Sequence, residues 1–230
     1  MKTFQELQEG VYDPNIFKAI FLAGGPGSGK SYVVRKTTGG SGLRVVNSDD
    51  AFEALLKKAN LSLKMPDEET ERRDVVRDRA KKLTALKKKN FIEGRLGIII
   101  DGTGAKADKI VRQMNSLRAL GYECSMIFVN TSLDVALQRN SERPRSIPEK
   151  IVVDSWNNVQ RNLGTFSQAF QRNLVVVDNN NATDDVLNKY WKQVSKLLNR
   201  KVTNGIAKKW IAMELSKKSR ASRSFGRQRR

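Results

Sequence analysis

A strand, a glycine-rich loop and the start of a helix follow one another over residues 17–31, and this run constrains the fold more than any other. From Gly24 to Ser31 the loop matches the phosphate-binding pattern G-x-x-x-x-G-K-[ST], known as the P-loop. Backbone N–H groups of such a loop converge on phosphate oxygens, the lysine reaches the β- and γ-phosphates, and the hydroxyl can ligate Mg²⁺. The sequence therefore predicts a site for ATP and Mg²⁺. The predicted nucleotide-binding residues of the loop are Gly24, Gly25, Gly27, Ser28, Gly29, Lys30 and Ser31.

Four more short apolar runs follow the P-loop, and helical patterns lie between them. The runs predict strands near residues 43–47, 96–101, 123–129 and 173–178. Continuously apolar strands that alternate with helices are typical of a parallel sheet covered on both faces. The sequence therefore predicts an α/β fold, a P-loop NTPase with a five-stranded parallel sheet flanked by helices. Ligands of such sheets lie at the carboxyl ends of the strands.

Carboxylates follow the second and third predicted strands. Asp101 ends an apolar run as a Walker-B carboxylate does, and it is a candidate ligand for Mg²⁺ together with Ser31. Asp49 is a candidate general base that would accept a proton from the attacking hydroxyl. We expect Asp50 to have a helix-capping role, and Ser48 or Asp49 would be a good N-cap. The plainer alternative for each carboxylate is a turn-forming or capping residue.

Three arginines, Arg139, Arg143 and Arg145, lie on a short segment after the helix that follows the fourth strand. Guanidinium groups on a closing lid stabilise charge that develops during phosphoryl transfer. A spacing of four places Arg139 and Arg143 on one face of a helix, which favours a shared target. The sequence therefore predicts an arginine-rich lid over about residues 139–149. The alternative is a solvent-exposed basic turn.

The composition limits the chemistry and suggests a polyanionic partner. Forty-three Lys and Arg against 24 Asp and Glu give a net charge of +19. Histidine is absent, so histidine triads and histidine metal centres are excluded, and Cys124 is the single cysteine, so no intramolecular disulfide forms. The chain has no signal-peptide pattern and no apolar run of bilayer length. We therefore expect a cytoplasmic protein with no membrane partner.

The charge pattern also divides the chain. We predict a polar lead-in over residues 1–16, a P-loop domain over 17–200, and a helical and basic tail over 201–230. Residues 216–230 carry seven basic side chains and no acid, so we expect this part to be disordered when free. Lysine and arginine that neutralise phosphates give sequence-independent affinity for nucleic acid. The tail therefore predicts a nucleic-acid partner, although other polyanions would also fit.

Two helices are predicted to bury one apolar face each. The first covers about residues 66–93, where apolar residues recur near every 3.6 positions, namely Val75, Val76, Ala80, Leu83, Leu86 and Phe91. The second begins the tail, where Ile206, Trp210 and Met213, with Ile211 and Leu215 nearby, recur at the same spacing. We expect this second face to pack on the core. The alternative is a helix that docks on a partner.

The P-loop and three further segments, residues 47–50, 100–103 and 136–148, resemble the kinase domain of phage 5′-polynucleotide kinase. More loosely, they resemble the zeta-toxin kinases. The order of the motifs is the same, and the similarity spans roughly residues 18–180. The P-loop is common to thousands of proteins, whereas the lid sequence R-N-S-x-R with a downstream proline is far more specific.

The resemblance implies a role for each candidate residue. Lys30 and Ser31 would serve ATP and Mg²⁺, and Asp49 would be the base. Asp101 would contact the substrate or the metal ion. Arg139 and Arg143 would clamp the phosphates. Asn179 would lie near the adenine, because residues 178–180 are similar to a loop that occupies that place in related kinases.

One position departs from the phage family. An arginine three residues after the catalytic aspartate commonly holds the phosphate of the acceptor, and here that position is Phe52. The leading hypothesis is an ATP-dependent kinase that phosphorylates a hydroxyl, with a nucleic-acid 5′ end as the favoured acceptor. A second hypothesis is a zeta-toxin-like kinase of a nucleotide sugar or another small metabolite. A third is a non-catalytic ATP-binding accessory protein that docks on nucleic acid or an assembly.

Overall fold

The computed structural model describes residues 10–63, 66–143 and 147–227, with side chains up to Ser219 in the last helix. The strands are β1 Lys18–Ala23, β2 Arg44–Val46, β3 Ile98–Ile100, β4 Glu123–Asn130 and β5 Leu174–Asp178. The helices are α1 Lys30–Thr38, α2 Ser48–Lys58, α3 Thr70–Glu93, α4 Ala107–Ala119, α5 Leu133–Ser141, α6 Glu149–Arg161, α7 Leu163–Phe170, α8 Asp184–Leu198 and α9 Gly205–Arg227. Residues 1–9 of the predicted lead-in, Arg145 and residues 228–230 lie outside the described part.

The five strands form one parallel sheet in the order β2-β3-β1-β4-β5. The central strand β1 pairs with both neighbours, so that Ala19 lies opposite Ile98 of β3 and Cys124 of β4. The chain leaves β1 toward β2 on one side and later returns to β4 on the other. A crevice opens at such a switch point, at the carboxyl ends of the strands. This sheet confirms the predicted fold and places the P-loop at the crevice.

Helices cover both faces of the sheet, and for this reason the strands are continuously apolar. All six residues of β1 are buried. Phe21 points to one face, where the aromatic side chains of Phe166 and Phe170 pack. Ile20 and Leu22 point to the other face, where α1 and α8 pack. Full burial of each such side chain is worth about 1.5–3 kcal/mol, so burial on both faces holds β1 firmly in place.

The long helix α3 has the predicted length, but only part of its predicted face is buried. Val75, Leu83 and Leu86 are 71%, 47% and 55% exposed. Only Ala80 of this helix is fully buried, in a small cluster with Phe52 and other residues of α2. The helix packs on α2 beyond the β2 edge of the sheet, so a narrow strip of its surface is covered. Val76 and Ala80, which the same spacing includes, pack in this cluster. In the described part of the chain no neighbouring element covers the three exposed residues.

The last helix, α9, packs on the core through part of the predicted stripe. The Trp210 ring meets the Phe17 ring edge-on, with 5.5 Å between the centroids. Ile206, Met213 and Leu215 of the same stripe are exposed. The helix runs to Arg227, whereas the sequence predicts disorder from residue 216. From residue 216 to 227 the helix lacks proline and carries two lysines and three arginines, which are good helix formers.

Cys124 lies on β4 and is buried in the core. Burial raises the pKa of its thiol to about 12. Within the described ranges, none of the helices is long and apolar enough to cross a lipid bilayer.

Candidate active site

The P-loop joins the end of β1 to the first turn of α1, and its lysine folds back over the loop. Gly29 precedes the helix in the left-handed conformation, with φ of 79°. The Nζ atom of Lys30 donates to the carbonyl oxygens of Gly24 (2.6 Å) and Gly25 (3.2 Å). Burial lowers the pKa of Lys30, and the nearby carboxylates of Asp101 and Asp49 oppose this shift. The ammonium is therefore held at the centre of the crevice, close to two acidic side chains.

Two glycines of the loop are required by close neighbours. At Gly27 φ is +77°, and a β-carbon would overlap the backbone carbonyl of Ala136 in α5. At Gly29 a β-carbon would overlap the side-chain amide of Asn179. The P-loop is thus packed between α5 and the loop after β5. Any side chain here would displace the backbone that is predicted to cradle the phosphates.

Arg139 holds this neighbouring loop in place. Its guanidinium donates to the carbonyl oxygens of Asn179 (2.8 Å) and Asn180 (3.0 Å). The amide of Asn179 in turn donates to the carbonyl oxygen of Ser28 in the P-loop (2.7 Å). The sequence predicted that Arg139 clamps phosphates, whereas the structure commits its donors to backbone carbonyls. Arg139 therefore supports the P-loop through Asn179.

Arg143 lies at the end of α5 with an exposed side chain. The positive charge of Arg143 acts on Lys30 and helps to lower the pKa of that lysine, and burial of Lys30 has the larger effect. Asn140, one turn earlier, is buried and pairs with Ile147 through two hydrogen bonds between its side-chain amide and the backbone, at 2.8 and 3.2 Å. The ends of the predicted lid are thus joined at Asn140, and Arg143 lies between them.

Asn47 connects two carboxylates near Lys30, those of Asp50 and Asp101. The N-cap of α2 is Asn47, whose side chain accepts a hydrogen bond from the backbone N–H of Asp49 (2.8 Å). The predicted cap, Ser48 or Asp49, was therefore wrong by one or two positions. The amide nitrogen of Asn47 donates to Asp101 (3.0 Å) and to Asp50 (3.1 Å). Asparagine is a preferred N-cap residue, but Asn47 was not singled out from the sequence.

Asp101 fits the predicted role in holding a cation. Its Oδ1 atom is buried and has no hydrogen-bond partner in the described part of the chain. Burial raises the pKa of Asp101, and the charges of Asp49 and Asp50 add to this effect against Lys30. No group of three metal-ligating side chains occurs in the same part of the chain. Mg²⁺ commonly takes one or two carboxylates together with substrate phosphates and water, so Asp101 and the hydroxyl of Ser31 suit a magnesium–nucleotide complex.

The two adjacent aspartates differ in their surroundings. Asp49 is exposed on the first turn of α2, and its charge acts on both Lys30 and Asp101. Asp50 is exposed as well, but its carboxylate accepts the Asn47 hydrogen bond, and desolvation of that carboxylate together with the charge of Asp49 raises its pKa. Of the two, only Asp49 acts on the charge of Lys30, and its role as the base stays a prediction.

Phe52 does not face the crevice as a phosphate ligand would. It is buried between α2 and α3, and the guanidinium of Arg77 lies 4.2 Å from the centre of its ring. Stacking uses the face of a guanidinium and leaves its in-plane N–H donors available to an anion. The arginine that the phage family carries on α2 is thus absent, and an arginine of α3 covers the same position.

A cleft of about 350 Å³ opens on this side of the P-loop. Its lining includes Ser31, Arg35, Asn47, Asp50 and Asp101. The volume is at the lower end of the range for small-molecule sites.

Helix α6 closes the opposite side of the crevice. The indole N–H of Trp156 donates to the carbonyl oxygen of Thr131 (2.9 Å), and a β-carbon on Gly25 would lie 3.6 Å from the Cα atom of Trp156. Trp156 and Asn140 were missed as contributors to the site. Trp156 contacts a residue 25 positions away, and the role of Asn140 depends on the approach of Ile147 to the end of α5.

The central strand, the lysine-bearing loop and the carboxylates at the neighbouring strand ends define a P-loop phosphotransferase. A profile of the zeta toxin family matches residues 6–202, and the chain belongs to that family. This confirms the zeta-toxin part of the sequence resemblance. The closer resemblance to phage polynucleotide kinase is not shown and remains a prediction. No curated protein matches the sequence.

Solved structures share the fold at low sequence identity. A putative kinase from Chloroflexus aurantiacus is 16% identical with a TM-score of 0.51, and the match covers 76% of this chain and 97% of that one. A gluconokinase from Sinorhizobium meliloti is 15% identical with a TM-score of 0.51, covering 80% and 95%. A structure from the PezAT toxin–antitoxin system of Streptococcus pneumoniae is 18% identical with a TM-score of 0.50, covering 79% and 87%.

Proposed function

We propose that this protein transfers the γ-phosphate of ATP to a hydroxyl of a small anionic metabolite, with a nucleotide sugar as the leading class. The observation that carries the proposal is the placement of Lys30 between two sets of groups. On one side lie the supports of the phosphate loop, Asn179 and Arg139. On the other lie Asp49 and a cleft that includes Asp101. A nucleotide and an acceptor can therefore approach the same ammonium from opposite sides.

In the proposed mechanism each residue of the candidate site has one role. The P-loop amides and Lys30 bind and orient the phosphates, and Arg143 offsets charge that grows on the transferring group. Asp49 accepts the proton of the acceptor hydroxyl. Ser31 and Asp101 would hold Mg²⁺, which would neutralise phosphate charge. The acceptor oxygen loses its proton to Asp49 and gains the phosphoryl group. Asp49 must therefore lie beside the acceptor and away from the adenine.

An anionic acceptor is supported by Arg77. The guanidinium lies over Phe52, one helical turn from Asp49, and therefore borders the side from which the hydroxyl would approach. It forms no ion pair with an acidic side chain among the described residues. A diphosphate or carboxylate of the acceptor would provide that partner. We therefore assign acceptor recognition to α3.

The 5′ end of a nucleic acid, which the sequence resemblance favours, has less support. The position that would bind its phosphate is Phe52, and that side chain is buried. A purely accessory ATP-binding protein is also less well supported, because such a protein would not need Asp49 and Asp101 beside the lysine. Both alternatives are separated from the proposal by one assay.

The assay is transfer of radiolabel from γ-labelled ATP to a panel of acceptors, with Mg²⁺ present. The panel contains nucleotide sugars, sugar phosphates, nucleosides, and DNA and RNA strands with a free 5′ hydroxyl. We expect label on an anionic small molecule and none with Lys30→Ala. Label on the strands alone would establish the 5′-end kinase. Absence of acceptor-dependent transfer despite ATP binding would favour the accessory protein.

Arg77→Gln tests the assignment of the acceptor side. We expect a higher KM for the anionic acceptor and an unchanged KM for ATP, because the lost contact involves the acceptor alone. Arg79→Gln is the matched control, since Arg79 is exposed on the same helix. Equal effects of the two substitutions would argue against a specific role for Arg77.

A further inference from the structure

A second cleft, of about 760 Å³, opens at the opposite end of the sheet from the P-loop. Its lining includes Lys18 and Glu123, the first residues of β1 and β4, and Asn173, which precedes β5. Strand β1 has six residues, so at about 3.3 Å per residue the cleft lies roughly 20 Å from the P-loop. It is therefore separate from the candidate active site.

The cleft carries an excess of positive charge. Its cationic residues are Lys18, Arg118, Arg172, Arg200 and Lys201, and its only acidic residue is Glu123. Glu123 is already engaged, because it pairs with Lys18 and accepts hydrogen bonds from the backbone N–H (3.2 Å) and hydroxyl (3.3 Å) of Thr203. The other four cations have no carboxylate partner within the described ranges. Their charge is therefore not neutralised by the protein.

Two of these arginines are held in place by neutral groups. Arg118 donates to the carbonyl oxygen of Ala169 (3.2 Å), and Arg200 donates to the side-chain oxygen of Asn173 (2.7 Å). A neutral acceptor orients a guanidinium without cancelling its charge. Such orientation reduces the conformational entropy that is lost when an anion binds.

The positive region continues into helix α9. Asn204 lines the cleft, and its side-chain oxygen accepts hydrogen bonds from the backbone N–H groups of Ile206 (2.8 Å) and Ala207 (3.4 Å) at the start of that helix. The helix N-terminus adds a partial positive charge. Lys208 and Lys209 follow on exposed positions. An extended anion that leaves the cleft would therefore meet further cations.

We propose that this cleft binds the phosphodiester backbone of a single-stranded nucleic acid. A strand offers phosphates at successive positions, which matches a cleft with several separate cations and a basic continuation. A duplex presents its phosphates on a convex surface that does not fit a concave site. The bound strand lies at the end of the sheet away from Lys30, so it is a tether for the kinase and not its acceptor. The inference therefore does not depend on the proposed reaction.

The test is fluorescence anisotropy of the full chain with a labelled thymidine strand of about 16 nucleotides, titrated between about 50 and 200 mM salt. The variant is Arg172→Gln with Lys201→Gln, two exposed cations of the cleft. Loss of two phosphate contacts should reduce the log–log salt slope by about 1.4 and weaken binding roughly 60-fold at about 50 mM salt. ATP turnover should be unchanged.

The matched control is Arg79→Gln with Lys82→Gln, which removes the same charge from exposed positions on α3. We expect it to retain nearly the original affinity and slope. Equal loss in both double variants would show that net charge alone attracts the strand, and would overturn the site. Absence of salt-dependent strand binding would also overturn it. Tighter binding of inorganic polyphosphate or a mononucleotide than of the strand, lost in the cleft variant, would replace the nucleic acid with a small anion.

Discussion

Arg139→Ala is expected to destabilise the protein, because the structure places Arg139 in a supporting role. The substitution removes two hydrogen bonds from a charged donor to the carbonyl oxygens of Asn179 and Asn180. Hydrogen bonds to charged groups contribute about 1.5–3 kcal/mol each, and for a half-exposed guanidinium we take the lower value. The free energy of unfolding should therefore fall by about 3 kcal/mol. For a chain of this size the melting temperature should fall by about 6–12 °C.

Losing the Arg139 contacts should also weaken the nucleotide site. Arg139 positions Asn179, and the side-chain amide of Asn179 donates to the carbonyl oxygen of Ser28 in the P-loop. We expect a higher dissociation constant for ATP, measured by isothermal titration calorimetry, alongside the lower melting temperature. Arg143→Ala is the matched control. Its exposed side chain has no partner within hydrogen-bond distance in the described part of the chain, so that variant should melt at the original temperature and lose kcat.

The opposite pattern would refute this reasoning. If Arg139→Ala melts like the original protein and loses only kcat, its guanidinium acts on the transferring phosphate, as the sequence predicted. If Arg143→Ala is the destabilised variant, the assignment of the two arginines is reversed.

Three further predictions concern the loop and the carboxylates. Asp49→Asn should retain ATP binding and slow transfer by roughly 10²–10⁴-fold, whereas Asp50→Asn should do much less, and the reverse order in single-turnover assays would exchange their roles. Burial raises the pKa of Asp101 above its ordinary value, and Mg²⁺ needs the ionised carboxylate. Mg²⁺ affinity should therefore fall as the pH decreases through this raised pKa. Asp101→Asn should remove that step from Mg²⁺ titrations. Gly27→Ala should destabilise more than Gly40→Ala, since both have positive φ but only Gly27 would also meet a backbone carbonyl; equal melting temperatures would contradict the packing argument.

The sheet was predictable because its signals are local. Continuous apolar runs marked every strand within a few residues, and the P-loop marked the central one. The order of the strands was not predicted, because local patterns do not show which strands pair. The buried face of α3 was predictable only in part, because spacing shows which side chains share a face and not whether another element covers all of them.

The candidate site was predictable where a residue acts alone. Lys30 and Asp101 were identified by motif and strand end, and both lie at the crevice. Arg139 and Arg143 looked equivalent at a spacing of four, but one contacts a loop 40 residues away in sequence. Contacts over that separation leave no trace in a single sequence. Asn140 was missed for another reason: its partner Ile147 is only seven residues away, but spacing alone does not show that the two backbone and side-chain groups meet.

The buried thiol of Cys124 has a practical consequence for measuring motion in this protein. A thiol with a pKa near 12 has almost no thiolate at neutral pH, and the thiolate is the form that reacts with maleimide reagents. The natural chain therefore behaves as if it lacked cysteine. One cysteine placed on α5 beside the P-loop and another on exposed α3 would accept donor and acceptor dyes without removing Cys124. The distance between the acceptor side and the nucleotide side could then be followed by energy transfer in an otherwise unaltered core.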